Sequence, residues 1–224
     1  NACTDGKREP LDEAYLDGLY KKGHGSVSEM VRVIHYGAER ESGLHLASEN
    51  GHVDIVNMLI RNGADVNAAT QKKWTAIHFA SFKGHSDVVE VLIQNGADIK
   101  ALADVNQPWT NNMNALNFAA WYGHIDVVAK LIQNGADVKA TDGVQKTALH
   151  WALYGHKKHF DVAGLLIQNG ADVNAKDFQD WSALHFMLES SFGLEGAAKS
   201  NVDFLKLLIK NGVDLNAVAD PGPS

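Results

Sequence analysis

Short apolar runs with helical spacing alternate with glycine-rich polar turns along most of the chain. In one such unit Thr75 precedes an apolar run that ends at Gly84, and a second run begins at Ser86 and ends before Gly96. Threonine and serine favour the N-terminus of a helix, whereas glycine favours the left-handed residue that follows one. The pattern therefore predicts two short helices, capped by Thr75 and Ser86, and then an extended turn.

The same unit occurs five times, and each copy closes on an Asn-Gly-Ala-Asp or Asn-Gly-Val-Asp phrase. Helix caps equivalent to Thr75 are Asn114, Thr147 and Ser182. The spacing between copies is 33 residues at one junction and 35 to 42 residues at the others. Self-similarity at this period is typical of a solenoid, in which each unit packs only on its neighbours. The five phrases begin at Asn62, Asn95, Asn134, Asn169 and Asn211.

Three short motifs in this unit resemble those of the ankyrin-repeat family, and the third of them is the Gly-Ala-Asp phrase. The resemblance covers residues 40–217. It implies an all-α ankyrin-repeat solenoid of stacked helix-turn-helix units with β-hairpin fingers. Alanine or glycine replaces the proline of the family motif, so the first helical residue loses the fixed φ that proline would provide. The Thr-Ala-Leu-His type of motif occupies residues 75–78, 147–150 and 182–185, and Gly-His occupies residues 51–52, 84–85 and 123–124.

On this basis the chain divides into one solenoid between two tails. Residues 1–10 and 218–224 are predicted to be tails, and residues 11–217 form the solenoid. Residues 11–39 carry few motif residues and are predicted to be a capping helix pair, as expected of a unit with one face in water. The five repeats span residues 40–68, 69–101, 102–140, 141–175 and 176–217.

The longer repeats place their extra residues at two different points. In repeat 3 they lie in the finger, where Trp109 follows a proline. This ring is either displayed on a turn or folded over the neighbouring finger. In repeats 4 and 5 the extra residues lie between the two helices, and residues 188–201 are expected to form an enlarged loop beside the groove. Neutral growth of a surface loop is the alternative interpretation.

Aromatic side chains recur just before the helix caps, near a finger tip and at the ends of the first helices. The resemblance implies that these positions line the groove through which members of the family bind partners. Tryptophan and tyrosine are also the residue types that dominate binding hot spots. The same pattern fits rings that stack between neighbouring repeats. The candidate partner-binding residues are Trp74, Phe82, Trp109, Trp121, Tyr122, Tyr154, Phe178 and Trp181.

The chain has 11 histidines, but their pattern does not point to chemistry. No nucleophile elbow, phosphate loop or zinc-protease motif is present, and the paired acids Asp177 and Asp180 are expected to be solvated finger-tip residues. We therefore predict no enzymatic activity, no cofactor and no metal site, and a cryptic hydrolytic site built from Asp and His is the alternative. The resemblance implies a structural role for His45, His52, His78, His85, His124, His150, His156 and His185.

Charge and the N-terminal residues bear on partner and location. With 27 acidic and 20 basic residues the net charge is −7, which argues against a nucleic-acid partner and favours a basic protein partner. No apolar run reaches the roughly 18 residues that a membrane span needs. Ala2 before Cys3 resembles a lipoprotein cleavage site, which would give a lipid anchor at Cys3. A free cysteine on a tail is the alternative.

The resemblance implies a protein–protein interaction module that is a monomer when free. The regular repeats and the Ala-Cys start resemble small bacterial, periplasmic ankyrin proteins that protect a cell from a harmful enzyme. We therefore expect one partner protein, a basic-surfaced enzyme, which the solenoid inhibits by occlusion. The alternatives are a secreted effector or a cytoplasmic adaptor that binds a host or signalling protein, and a structural role through self-association.

Overall fold

The structure, a computed structural model, describes residues 41–104, 112–154, 157–189 and 194–219, and the side chains of residues 194–198 are not described. The predictions for the capping pair, for the N-terminal tail with Cys3, and for Trp109 and His156 lie outside these ranges. The described helices are α1 (Gly43–Glu49), α2 (Val53–Arg61), α3 (Ala76–Lys83), α4 (Ser86–Gln94), α5 (Ala115–Tyr122), α6 (Ile125–Gln133), α7 (Ala148–Leu153), α8 (Phe160–Gln168), α9 (Ala183–Leu188) and α10 (Leu194–Lys210).

The helices form two layers, because each first helix packs on the first helices of its neighbours and each second helix packs on the second helices of its neighbours. The core lies between the layers and includes Leu92, Leu131 and Leu166, which are fully buried in successive second helices. Small residues such as Ala80 and Ala119 let the first helices approach closely. The prediction of an all-α solenoid of helix pairs is confirmed.

Each first helix begins with a capping box. The side chain of the cap residue accepts the amide of the third helical residue, and the side chain of that residue accepts the amide of the cap residue. In α3 the Thr75 amide donates to Nδ1 of His78 over 3.1 Å, and Nε2 of His78 donates to the Ala101 carbonyl oxygen over 2.9 Å. The histidine therefore satisfies a free amide at the helix start and ties the helix to the turn that closes the repeat. The predicted caps are confirmed at Thr75, Asn114, Thr147 and Ser182.

Repeat 3 uses asparagines for the same purpose. Asn114 and Asn117 exchange amide-to-side-chain hydrogen bonds of 3.0 and 2.9 Å. The Nδ2 atom of Asn117 is buried and has no hydrogen-bond partner. A shorter side chain therefore preserves the helix start but provides no tie to the closing turn of its repeat.

The second helices begin differently from the prediction. Ser86 lies inside α4, and His85 occupies the N-cap position without a capping hydrogen bond from its side chain. Its Nε2 atom instead donates to the Glu49 carbonyl oxygen of the preceding repeat over 2.9 Å. The prediction of Ser86 as the cap was therefore wrong. The N-cap position belongs to His85, whose ring bonds the preceding repeat.

Glycine makes room for these histidine rings. A Cβ atom built on Gly84, whose φ is +83°, would lie 2.5 Å from Nδ1 of His124. The equivalent neighbour of Gly123 is His159, which precedes α8. The prediction had assigned this role to His156, but the two-residue insert moves the position next to the helix to His159.

Two further expectations need correction. The fingers contain no extended strand within the described ranges, and they are closed instead by the isolated bridges Ala103–Met113 and Thr141–Thr147. The insert of repeat 5 is not a simple loop, because from Leu194 onward it lengthens the second helix to 17 residues. Its Leu, Glu, Ala and Lys residues are strong helix formers, which accounts for the extension.

Candidate partner-binding face

A continuous ladder of aromatic rings runs across repeats 2 to 5 along the first helices and finger bases. Its members come from three recurring positions: the residue before the helix cap, the fourth residue after the cap, and the end of the first helix. Residues three or four apart lie on one face of a helix. Because the first helices of neighbouring repeats pack on one another, the rings on these faces meet. The aromatic ladder consists of Trp74, Phe79, Phe82, Phe118, Trp121, Tyr122, Trp151, Tyr154, Trp181 and Phe186.

In repeats 2 and 3 the ladder is built around Trp74. The centroid of its ring lies 5.0 Å from Phe79 and 4.6 Å from Phe118 of the next repeat. The indole Nε1 donates to the Asp104 carbonyl oxygen over 3.0 Å, so the ring also joins two adjacent fingers. Tilted aromatic pairs at these distances add about 0.5 to 1.5 kcal/mol each beyond the area that they bury.

In repeat 4 the corresponding position holds Lys146, which is only 5% exposed. Its ammonium nitrogen lies 4.6 Å from the ring centroid of Tyr154, 5.2 Å from Trp151 and 5.4 Å from Phe186. These distances are typical of cation–π contacts. Burial lowers the pKa of Lys146, and the nearby carboxylates, Asp177 foremost, oppose that shift.

A buried carboxylate accompanies the ladder in repeat 4. Oδ1 of Asp142 accepts the amides of Val144 and Lys146 over 3.0 and 2.8 Å, and Oδ2 accepts the indole Nε1 of Trp151 over 3.0 Å. Burial raises the pKa of Asp142, and these hydrogen bonds oppose that shift. Both oxygens of this carboxylate are therefore satisfied.

The equivalent carboxylate of repeat 5 is only partly satisfied. Asp177 is 3% exposed, so the expectation of a solvated finger-tip acid was wrong. Its Oδ1 accepts the amides of Gln179 and Trp181 over 2.9 and 3.0 Å, but its Oδ2 has no hydrogen-bond partner. The reason is that Phe186 stands where repeat 4 has Trp151, and a phenyl ring has no N–H to donate.

The structure places six of the eight predicted residues in the ladder. Tyr122 is 40% exposed, and the other five are half-buried between neighbouring rings. Phe178, at 46% exposure, lies on a finger, and its amide donates to the Val144 carbonyl oxygen over 3.2 Å. The half-buried members are Trp74, Phe82, Trp121, Tyr154 and Trp181.

Sequence reasoning missed Lys146 and Asp142, and it placed the buried Asp177 in solvent. The signal for Lys146 was its position, because it precedes a helix cap as Trp74 and Trp181 do. The signal for the two acids was their shared place five residues before the caps. Neither signal was conclusive, because lysine and aspartate in a turn are usually solvated.

The insert of repeat 4 supports the ladder from one end. Lys158 Nζ donates to the carbonyl oxygen of Leu153 over 2.8 Å and also to that of Phe186. These carbonyls belong to the last turns of α7 and α9, where a cation is favourable. The insert thus supplies a cap that holds two first helices together.

The face is built mainly from aromatic rings rather than from titratable groups. Among the residues that the structure describes, no three His, Cys, Asp or Glu side chains are placed to hold a metal ion. Within the same residues no helix is long and apolar enough to cross a bilayer. What the face presents is a half-buried aromatic surface with one buried ammonium and two buried carboxylates.

Comparison with known proteins agrees with the geometry. The family model described as ankyrin repeats (3 copies) matches residues 21–103, 44–142, 100–177 and 116–219, and so extends over most of the chain. Comparison with curated proteins found no match.

Proposed function

Because the chain belongs to the ankyrin-repeat family and is a protein–protein interaction module, we propose that it binds one partner protein through the aromatic ladder. The observation that carries this proposal is the run of half-buried rings from Trp74 to Tyr154, whose outermost ring, Tyr122, is 40% exposed. Phe178 adds an exposed ring on the finger of repeat 5. An apolar surface of this kind on a folded protein marks an interaction site. Rings that are already ordered by stacking lose little conformational entropy on binding.

We further propose that the partner is an enzyme with a basic surface and that binding inhibits it by occlusion. The net charge of −7 supports a basic partner, because opposite charges accelerate and orient association. The resemblance to small bacterial self-protection ankyrin proteins supports inhibition and a periplasmic location. A solenoid that covers an active site needs no chemistry of its own.

The test is affinity capture with matched variants of the whole chain. The double variant Tyr122→Ala, Phe178→Ala removes the exposed rings, and the control Met58→Ala, Ile125→Ala removes exposed apolar side chains of the second helices, which are 49% and 37% exposed. We expect the native chain and the control to retain one near-stoichiometric protein from a periplasmic extract, and the ring variant to lose it. Circular dichroism verifies that all three chains are folded.

Each outcome bears on a different part of the proposal. Equal retention by the ring variant and the control would contradict binding through the ladder. An enzyme that is retained but stays fully active in the complex would contradict inhibition. A partner found only in a host-cell or cytoplasmic extract would replace the periplasmic hypothesis by the effector or adaptor hypothesis.

A further inference from the structure

Lys146 fills a place that repeats 2 and 5 give to an indole ring. It precedes the cap of α7 as Trp74 and Trp181 precede the caps of α3 and α9. Trp74 contacts a ring of its own repeat and a ring of the next, and Lys146 contacts Trp151 and Phe186 in the same relation. The lysine is therefore the member of the stack that carries a charge.

The ammonium of Lys146 makes no hydrogen bond to the described residues. The nitrogen contacts three ring faces and is not fully buried. It therefore keeps some contact with solvent beside these rings. An ammonium among three rings is the arrangement by which proteins recognise alkylammonium ligands.

Two buried carboxylates complete the pocket electrostatically. The charges of Asp177, Asp142 and Glu189 oppose the lowering of the Lys146 pKa by burial, and Asp177 contributes most among them. Oδ2 of Asp177 is fully buried and has no donor, so Lys146 leaves it unsatisfied. A buried carboxylate oxygen without a donor destabilises the fold, and a ligand able to donate to it would remove that cost. We call Trp151, Tyr154, Phe186, Asp142 and Asp177 the cation cage.

The equivalent pocket of repeat 2 lacks these charges. Thr70 stands there in the place of Asp142, and its hydroxyl accepts the Trp74 amide over 3.1 Å. The neutral indole of Trp74 fills the space between Phe79 and Phe118. The combination of rings and carboxylates therefore belongs to the junction of repeats 4 and 5.

We propose that the cation cage is a recognition site for a lysine side chain of the partner and that Lys146 is a resident occupant which the partner's lysine displaces. Exchange of one ammonium for another preserves the cation–π contacts with the rings, and the released Lys146 regains its hydration. An incoming ammonium can also donate to Oδ2 of Asp177. The identity of the partner rests on the proposed function, whereas the cage itself does not.

The cage can be tested without any partner. Lys146→Ala opens it, Lys146→Met keeps the stem volume without the charge, and Trp74→Ala opens the neutral pocket of repeat 2. Methylammonium chloride is titrated against sodium chloride of equal ionic strength, and the indole N–H resonance of Trp151, assigned with Trp151→Phe, reports occupancy. In the Trp74→Ala chain the resonances of Phe79 and Phe118 are followed instead.

We expect saturable binding to Lys146→Ala that is at least about tenfold tighter than to the native chain, Lys146→Met or Trp74→Ala. In the double variant Lys146→Ala, Asp177→Asn, we expect methylammonium to bind more weakly than to Lys146→Ala. A folded Lys146→Ala chain that shows no saturable shift beyond the salt control would overturn the proposal. Equal binding to Trp74→Ala would also overturn it, because the carboxylates would then have no part in recognition.

The partner tests displacement separately. Once a partner is captured, Lys146→Ala is expected to bind it about tenfold more tightly, while Lys146→Met, which blocks the cage, is not. Loss of binding by Lys146→Ala would overturn displacement, because Lys146 would then be a direct contact. If capture yields no partner the proposed function fails, whereas the methylammonium titration still decides whether the cage exists.

Discussion

Repeats 4 and 5 build the same carboxylate loop and satisfy it differently. In repeat 4 both oxygens of Asp142 accept hydrogen bonds, and the donor to Oδ2 is the indole N–H of Trp151. In repeat 5, 35 residues later, Asp177 has the same loop but faces Phe186, and one oxygen stays without a partner. The comparison shows that a single side chain, nine residues after the aspartate, decides whether its buried Oδ2 has a hydrogen-bond donor.

The two repeats also differ in how far they are covered. His150 is fully buried, and its Nε2 donates to the Ala175 carbonyl oxygen over 3.0 Å. His185, at the end of the described array, is half-buried and bonds through Nδ1 to the cap residue Ser182. An interior repeat is enclosed by the next one, so its polar groups must be satisfied within the stack.

We expect acidification to have the largest effect on the free energy of unfolding. Burial lowers the pKa of His150 to about 4, and that of His78 likewise. Because the folded pKa lies below that of the unfolded chain, the unfolded state binds protons first as pH falls. Stability is therefore complete above about pH 6.5 and is lost as pH falls toward 4, by about 3 kcal/mol for each of the two histidines. Urea unfolding at pH 7, 5.5 and 4.5 measures this loss.

The asparagine pair of repeat 3 supplies the control for the acid experiment. Thr147→Asn with His150→Asn copies Asn114 and Asn117, which preserve the helix start without a titratable ring. This variant should be less stable than the native chain at pH 7 but should lose about 3 kcal/mol less on acidification. An unchanged pH slope would mean that His150 is not the group that titrates.

Trp151→Phe should make repeat 4 resemble repeat 5. The substitution removes the donor to Oδ2 of Asp142 and leaves a buried carboxylate oxygen unsatisfied, at a cost of about 2 to 3 kcal/mol. Trp74→Phe is the matched control, since it loses a bond to a neutral carbonyl oxygen at a half-buried site and should cost about 1 kcal/mol. Equal losses in urea unfolding would contradict the interpretation that charge sets the difference.

Phe186→Trp should make repeat 5 resemble repeat 4. The added indole N–H can reach Oδ2 of Asp177, as Trp151 reaches Asp142, and we expect a gain of about 1 kcal/mol after the cost of the larger ring. The same substitution in an Asp177→Ala chain should give no gain, because the acceptor is absent. A gain of equal size in both backgrounds would show that packing alone is responsible.

The helix starts and the core rings were predictable from the sequence because they follow local rules. Thr75 and Thr147 precede apolar runs, and the rings of Phe118 and Trp151 occupy the position that faces the core in repeats 2 to 5. Such features depend on residues a few positions apart, and repetition shows them several times over.

The charged part of the face was not predictable, because it depends on contacts between fingers. Phe178 donates its amide to the Val144 carbonyl oxygen, which brings the fifth finger against the fourth. Asp177 and Lys146 are enclosed at this junction, although each would be solvated on an isolated finger. The prediction for His156 failed for a similar reason. The length of the insert in repeat 4 decides which histidine reaches Gly123, and that residue is His159.

The smallest expected effect concerns the turns that close the repeats. Asn174 joins repeats 4 and 5, because its side chain bonds the Gly212 carbonyl oxygen and the Asp214 amide, each over 2.8 Å. The same position holds Lys139 at the junction of repeats 3 and 4. Asn174→Lys should therefore cost about 0.5 to 1 kcal/mol in urea unfolding, since both bonds are exposed.

The reverse substitution tests whether this bridge is transferable. Lys139→Asn would place an amide beside Gly170 and Asp172, which correspond to Gly212 and Asp214. We expect a gain of about 0.5 kcal/mol, because the backbone at this turn already has the same form and the left-handed glycine is present. Asn67 makes the same bridge between repeats 1 and 2, to Gly96 and Asp98. If Asn174→Lys is costly and Lys139→Asn gives nothing, the backbone at the junction of repeats 3 and 4 does not accept the bridge.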